Sequence, residues 1–302
     1  MLPIGVDIRG MPEEIIRLSD QSERYPPLLR EIHDAPTELY VRGNAALLSS
    51  EPMLAVVGSR KANHHGKHAV EHLFGPLVAT GVPLVSGLAY GIDSLAHLAC
   101  LEAGTPTVAV LGGGIDDASI YPKRHIALAH DIIAAGGAVI SEYEPGTPPH
   151  LGQFPVRNRI IIGLCQAVVV VQAAERSGSL ISSRLALEND REVAAVPGSL
   201  ADPLAWGTNR LIRDGAAPLL EPSDVFDLLK LANPMTETTE QQRVAHLTTE
   251  QRTVFETLSD HPLHTDELLA QTKLASPVLA ATIVELEMQD LIHHVGGMKY
   301  IK

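Results

Sequence analysis

The stretch MLAVVGSRK at residues 53–61 decides the fold. Five apolar residues run on without interruption and stop at Gly58, Ser59, Arg60 and Lys61. Such a run suits a strand covered on both faces, because a half-exposed strand would alternate apolar and polar residues. The pattern recurs at VPLVS (82–86), TVAVL (107–111), AVI (138–140), AVVVV (167–171) and EVAAV (192–196). Helix-like segments lie between these runs, at Gly91–Ala103 and Leu180–Asn189 among others. Strands alternating with helices build a parallel sheet with helices on both faces. Residues 53 to about 220 are therefore predicted to form a Rossmann-like, doubly wound α/β domain.

On either side of this block the pattern changes. Residues 1–52 read as a lead-in, in which Pro26, Pro27 and Pro36 break any long helix and Glu38–Arg42 is at best a short strand. Residues 221–248 read as a helix and a polar linker, the latter rich in Thr, Glu and Gln. Residues 249–302 read as three helices (250–259, 265–272, 277–289) and a small hairpin with a two-residue turn at Gly296-Gly297. That order is the layout of a winged helix.

The 302 residues carry 23 basic and 36 acidic side chains, a net charge of −13. A chain this acidic cannot attract nucleic acid through its average field, so any such site must gather its cations locally. Cys100 and Cys165 both lie in apolar segments, which argues against a disulfide framework and fits a reducing compartment. The first residues lack the basic start and apolar core of a signal peptide, and no apolar run reaches 18 residues. These features predict a cytoplasmic protein without membrane spans.

In open α/β sheets ligands gather at the carboxyl ends of the strands. Here those ends read Gly58-Ser59-Arg60-Lys61, Ser86-Gly87, Gly112-Gly113-Gly114 and, after the fifth strand, Glu175-Arg176-Ser177-Gly178-Ser179. Glycine lets a backbone approach a phosphate closely, and helix N-termini favour anions. Four such loops on one rim point to an extended phosphate-bearing ligand, although any single one could merely close a tight turn. Lys123 and Arg124 follow the third strand, and Arg157, Asn158 and Arg159 precede the fifth. These are read as loop or helix-start positions on the ligand side. Residues 54–200 hold ten basic and twelve acidic side chains, so a basic patch there must be local. Only 4% of the chain is aromatic, which excludes a broad base-stacking platform and leaves Tyr121, Phe154 and Trp206 near the site.

Other constellations carry less. No G-x-G-x-x-G follows the first strand and no P-loop is present, which speaks against a nicotinamide enzyme or an ordinary P-loop ATPase. Asp93 and His97 share a helix face but lack a nucleophile, and read as an orienting pair or cap. His64, His65, His68 and His72 lack a third ligand of known spacing and read as a solvated helix face. Asp116 and Asp117 read as turn caps. No catalytic residue, metal or cofactor is expected.

Five stretches carry a resemblance: VVGSRKANHHG, VSGLAYGIDSLAH, FPVRNRIIIG, SGSLISSRLALENDREVAAVPGS and GTNRLIRDGA. Together they resemble the DNA-processing protein A (DprA/Smf) family of natural transformation, over residues 25 to about 220. The resemblance implies a homodimer that binds single-stranded DNA without strong sequence preference, works with the RecA recombinase and has no catalytic activity. It carries the GSR motif onto Gly58, Ser59 and Arg60, the FP-x-R-N-R motif onto Arg157, Asn158 and Arg159, and the SGS motif onto Ser177, Gly178 and Ser179. The segment Tyr121-Pro122-Lys123-Arg124-His125 departs from the family's pattern.

The third helix of the C-terminal module, residues 277–290, contains Glu285, Glu287 and Asp290 and no cation. A duplex-reading helix normally carries Arg or Lys, so this module is expected to bind protein, such as another competence protein, or to pack on its own dimer. The rival reading is a Rossmann-like nucleotide hydrolase of the lysine-decarboxylase-like type. Its P-G-G-x-G-T loop is poorly matched by Leu111–Asp116, LGGGID. A third reading is an adaptor that binds a free nucleotide as a signal.

Overall fold

The structure, a computed structural model, describes residues 15–234, 247–259, 261–288 and 291–302. The first 14 residues, most of the polar linker and Asp290 lie outside the described residues. The chain divides into two compact units, residues 1–232 and 233–302.

The first unit is built on a nine-stranded sheet in the order β1-β2-β6-β5-β4-β3-β7-β8-β9. Its parallel strands are β3 (Leu54–Val57), β4 (Leu84–Ser86), β5 (Val108–Val110), β6 (Ala138–Ser141), β7 (Ala167–Val170), β8 (Glu192–Ala195) and β9 (Ala217–Pro218). Each predicted run is a strand. In β3, Ala55 and Val57 enter one apolar layer and Leu54 and Val56 the other. β7 divides in the same way, with Val168 and Val170 in one layer and Ala167 and Val169 in the other. That is why these strands tolerate no polar alternation.

One face is covered by the helices α2 (His64–Ala69) and α3 (Gly75–Ala79), which join through a π-helical turn at Val70–Phe74. α4 (Ile92–Ala103), α5 (Ile126–Ala134) and α9 (Pro222–Leu228) lie on that face too, where they bury Ile92, Ile132 and Phe226. The opposite face takes α1 (Pro27–Glu31), α6 (Gln153–Gly163), α7 (Ser179–Glu188) and α8 (Trp206–Arg213).

From β3 the chain winds outward through β4, β5 and β6, then returns to β7 on the other side of β3. The sheet therefore has a topological switch point between β3 and β7. Leu54 stands opposite Ala167 there, and Val57 opposite Val170.

The lead-in differs from its sequence reading. β1 (Ile16–Ser19) and β2 (Glu38–Gly43) belong to the same sheet, and β2 pairs antiparallel with β6 from Tyr40 opposite Ser141 to Gly43 opposite Ala138. A boundary at residue 53 follows the first parallel strand. An antiparallel edge strand gives no such signal, because its pairing partner lies about a hundred residues away. Beyond residue 220, α9 also buries Val225 and Phe226 in the first unit.

The second unit packs helices Thr249–Thr257, Thr265–Thr272 and Ser276–Met288 against a three-stranded sheet, β10-β12-β11. β10 is Leu263–His264, β11 is His293–His294 and β12 is Lys299–Ile301. Val254, Leu268, Leu286 and Ile292 form its centre. The hairpin turn is one residue longer than predicted. Val295 donates to Lys299 O, and Met298 joins Gly296 and Gly297 at positive φ.

Tyr25, Leu29, Leu39, Val41, Leu47 and Leu48 are buried in the same core as β3 and β7. Burying six such side chains contributes on the order of 10 kcal/mol, comparable to the whole stability of a domain. A fragment cut to residues 53–220 is therefore expected to lose cooperative thermal unfolding. A fragment of residues 15–232 should keep it, and differential scanning calorimetry distinguishes the two.

Candidate functional site

At the switch point, where the loops after β3 and β7 part, a cleft of about 430 Å³ opens. Its walls are the β3 loop (Gly58–Lys61), Ala89, Asp93 on α4, one face of α6, the β7 loop with the first turn of α7, and Leu204 after β8. Its charged lining consists of Arg60, Lys61, Arg157, Arg176 and Asp93. Four cations and one carboxylate thus gather in a chain of net charge −13.

The first turn after β3 is shaped by close packing. A side chain at Gly58 would run into Ile92, so glycine lets the start of α4 sit against the strand end. Ser59 O accepts from the Ile92 amide at 3.1 Å, and Ser59 Oγ accepts from the Lys61 amide at 3.1 Å. Arg60 is exposed, and its guanidinium lies over the Phe154 ring, 5.3 Å from the centroid. Tyr121 meets the same ring at 5.7 Å and is itself half-exposed. Guanidinium and two aromatic rings therefore stand together beside the cleft.

Arg157 has a different place from Arg60. It is buried, and its Nη1 donates to Gly87 O at 2.8 Å and to Val110 O. Its Nε donates to Asn158 Oδ1 at 3.3 Å. A side chain at Gly87 would occupy the space of this guanidinium. Asp93, also buried, accepts from the Gly87 amide at 3.1 Å. Burial pushes the Asp93 carboxyl up, and the Arg157 charge and the amides of Ala89 and Gly87 pull it back. Burial lowers Arg157 to about 10, which leaves it cationic at neutral pH. Together they tie the loop after β4 to the end of β5 and to α6 from beneath.

Arg159, two residues on, leaves the cleft. It forms a bidentate pair with Glu142 at 2.9 and 2.7 Å and a third contact with Asp34 at 3.1 Å. Residues 157–159, loop or helix-start positions by their sequence, lie within α6. On a helix, residues 154, 157, 158 and 161 share one face, and 159 points about 200° away from 157. All four of the former line the cleft.

The other predicted residues separate. Ser177, Gly178 and Ser179 line the cleft, with the Ser177 and Ser179 hydroxyls 2.7 Å apart and open space above Gly178. Ser86 is buried and donates to Val56 O at 2.6 Å. Gly112 packs against Gln153 and Phe154, and Gly113 against Pro149. These two glycines seat the segment leading into α6 and do not line the cleft. Lys123 donates to the carbonyls of Asp117 and Ala118, and Arg124 is exposed; neither lines the cleft. Leu151, Ile181 and Leu204 do line it and were not foreseen. Only the helix phase of α7 could have pointed to Ile181, since Leu151 lies in the turn before α6.

The Asp93–His97 pair serves the fold. Thr107 Oγ1 donates to Leu84 O at 2.6 Å and so accepts from His97 Nδ1, 2.9 Å away. His97 Nε2 is buried without a hydrogen-bond partner. Of the two aspartates read as turn caps, Asp116 accepts from the Gly146 amide, and Asp117 pairs with Arg42 at 2.7 Å and His130 at 3.0 Å. No cluster of three or more His, Cys, Asp or Glu able to hold a metal occurs among the described residues. No helix among them is long and apolar enough to cross a membrane.

Fold and site together define a class: a doubly wound α/β protein with a basic cleft at its switch point, followed by a winged helix. Residues 16–230 match the family described as DNA recombination-mediator protein A, and residues 238–298 match the DprA winged helix domain. The chain belongs to the DNA recombination-mediator protein A family. It is 43% identical to the DNA processing protein DprA of Bacillus subtilis over 70% of each chain. It is 44% identical to the protein Smf of Escherichia coli over 69% of this chain and 55% of that one. The X-ray structure of DNA processing protein A from Streptococcus pneumoniae superposes with a TM-score of 0.66 at 41% identity, over 71% of this chain and 74% of that one. The Helicobacter pylori protein, solved for its single-stranded DNA binding mode, superposes with a TM-score of 0.63 at 29% identity, over 72% and 98%.

Two predictions follow from the buried groups. Arg157→Ala would strip the buried carbonyls of Gly87 and Val110 of their donor and remove a charge that acts on buried Asp93, a change that costs about 3–5 kcal/mol. Its melting temperature should fall by roughly 10 °C, and Arg157→Lys should not restore it, because an ammonium lacks the planar fork.

The second concerns acid. Burial, with the neighbouring His125 and Arg157 charges, lowers His97 from 6.5 to about 3. Between those values the unfolded chain binds a proton that the folded chain refuses. This contribution to stability is therefore complete above about pH 6.5 and is lost as pH falls toward 3, at up to about 1.4 kcal/mol per pH unit. Urea midpoints measured from about pH 7 to 4 should decline less steeply for His97→Gln than for the parent.

Proposed function

We propose that the cleft holds single-stranded DNA without reading its sequence, and that the protein passes the strand to a RecA-class recombinase without catalysing a reaction. The observation that carries this reading is the stack of Arg60 on Phe154 beside a cleft with a surplus of cations. A guanidinium on a ring face offers two donors to a phosphate, and the neighbouring rings offer a surface to any base. No base-edge reader is needed for such binding. Membership of the recombination-mediator family and the single-stranded DNA bound by the Helicobacter pylori relative support it. A non-catalytic role accords with Asp93 and His97, both of which are engaged inside the fold. The hydrolase reading loses ground because Gly112 and Gly113 line no part of the cleft.

The protein is further proposed to act as a homodimer. The third helix of the winged unit carries Glu285 and Glu287 and turns Val278, Val284 and Met288 outward, which suits a protein partner better than a duplex backbone.

The test is a salt titration of single- and double-stranded oligonucleotide binding, with nucleoside monophosphates run in parallel. Single strands of different sequence should bind alike and in preference to duplex. Arg60→Ala should weaken all single strands similarly and lower the salt slope by about 0.7, the value of one phosphate contact. Its melting temperature should not change, since Arg60 is exposed and makes no ion pair that the fold relies on. Base release from a monophosphate, or an unchanged slope in the folded variant, would refute the assignment.

A further inference from the structure

A shallow depression of about 20 Å³ adjoins the cleft, walled by the loops after β4 and β5. Arg60, Ala89, Phe154 and Arg157 line both. Tyr90 and Tyr121 line the depression and not the cleft. We propose that a single strand leaving the cleft crosses this part of the rim, with one base stacked on the ring of Tyr90 and its neighbour on the rings of Tyr121 and Phe154. The proposal rests on the reading of the cleft as a single-strand site and names Tyr90 as the side chain that the next base meets.

Exposure is the first observation. Only 4% of the chain is aromatic, yet Tyr90 and Tyr121 share one rim, 40% and 47% exposed. Large rings left open beside a cation-rich cleft offer a stacking surface that tolerates any base. A depression of this size admits about one water molecule, so a base can lie on the rings but cannot sink between them. A duplex keeps its bases stacked within itself, and the rings therefore favour a single strand.

The rings are also held in place. Tyr121 packs on Phe154 at 5.7 Å. Tyr90 meets the His125 ring edge to face, with 4.9 Å between centroids. His125 Nδ1 donates to Leu88 O at 2.7 Å, so the histidine is tied to the loop that carries Tyr90. That loop in turn packs on the one that carries Arg60. A side chain at Gly91, where φ is +76°, would run into the backbone of Ser59 and Arg60. A surface fixed before binding spares a strand the cost of ordering it.

The charges suit a polyanion. Among the described residues, two arginines and no carboxylate line the depression. Lys123 and Arg124 lie on the same short turn as His125. Lys123 donates to the carbonyls of Asp117 and Ala118, which carry no net charge and leave its own intact.

The full chain is titrated with oligothymidine of about 16 nucleotides, the upper end of known site sizes, over a range of salt concentrations, with anisotropy of the labelled DNA as the readout. Tyr90→Ala should weaken binding about tenfold at every salt concentration, the worth of one stacked base. Its salt slope should stay that of the parent, because no phosphate contact is lost. Tyr90→Phe should restore the affinity, since the ring and not the hydroxyl does the stacking. In the parent chain, an oligomer of 5-iodouracil should cross-link on irradiation to Tyr90 as well as to Tyr121 or Phe154, as read by mass spectrometry of the peptides.

Full affinity in Tyr90→Ala, or adducts at Phe154 with none at Tyr90, would overturn the proposal and leave the cleft intact. A salt slope lowered as in Arg60→Ala would show that the variant had disturbed the guanidinium, and would overturn it as well. Failure of the parent chain to bind the oligomer would overturn the reading of the cleft and the proposal with it.

Discussion

A guanidinium almost wholly withdrawn from water forms part of the floor of the cleft. Arg157 holds the carbonyls of Gly87, just after β4, and of Val110, the last residue of β5, and its charge acts on the buried carboxyl of Asp93. Asp93 in turn takes the amide of Gly87. One cation and one anion thereby satisfy groups of the chain that would otherwise be buried without partners, and each makes the other's burial tolerable. Gly87 has no side chain because the guanidinium needs that space. The geometry of the cleft depends on this arrangement, because it joins the loop after β4 and the end of β5 to α6.

The division of labour among the arginines follows from where each leaves its helix or loop. Arg157 is internal, Arg159 is neutralised by Glu142 and Asp34 on the far side of α6, and Arg60 stands free over Phe154. Three residues of one type serve as an internal tie, a surface brace and an exposed cation beside the cleft. The arginine-on-aromatic pairing recurs where Arg210 lies over Trp206. An acidic protein can meet a polyanion in this way, because the cations are concentrated where the strand ends converge and most of the acidic side chains lie elsewhere.

The histidine and glycine motifs show how a conspicuous residue can serve the fold alone. His97 lies four residues from Asp93, a spacing that suggests chemistry, yet its ring is spent on the Thr107 hydroxyl. Gly112 and Gly113 look like a phosphate loop and are the seat for Pro149 and Phe154. They act on the cleft at one remove, by fixing the ring on which Arg60 rests.

The sequence by itself determined the parallel strands and the glycine and basic loops at their carboxyl ends, while the strand order, with its switch point between 53–57 and 167–171, came from the tertiary structure. Buried strands must be continuously apolar, and helix-start loops must be small, so both leave local marks. It also identified Arg60, Arg157, Asn158 and the serines at 177 and 179 as neighbours of one site. The tertiary structure alone decided that β1 and β2 complete the sheet, because pairing across a hundred residues leaves no mark in either partner. It alone decided that Arg157 lies inside and Arg159 outside the cleft, since the phase of α6 against the sheet sets which side each faces. And it alone placed Leu204 in the wall of the cleft and Leu200 beside a neighbouring groove, because a loop's two sides are distinguished only by what packs against them.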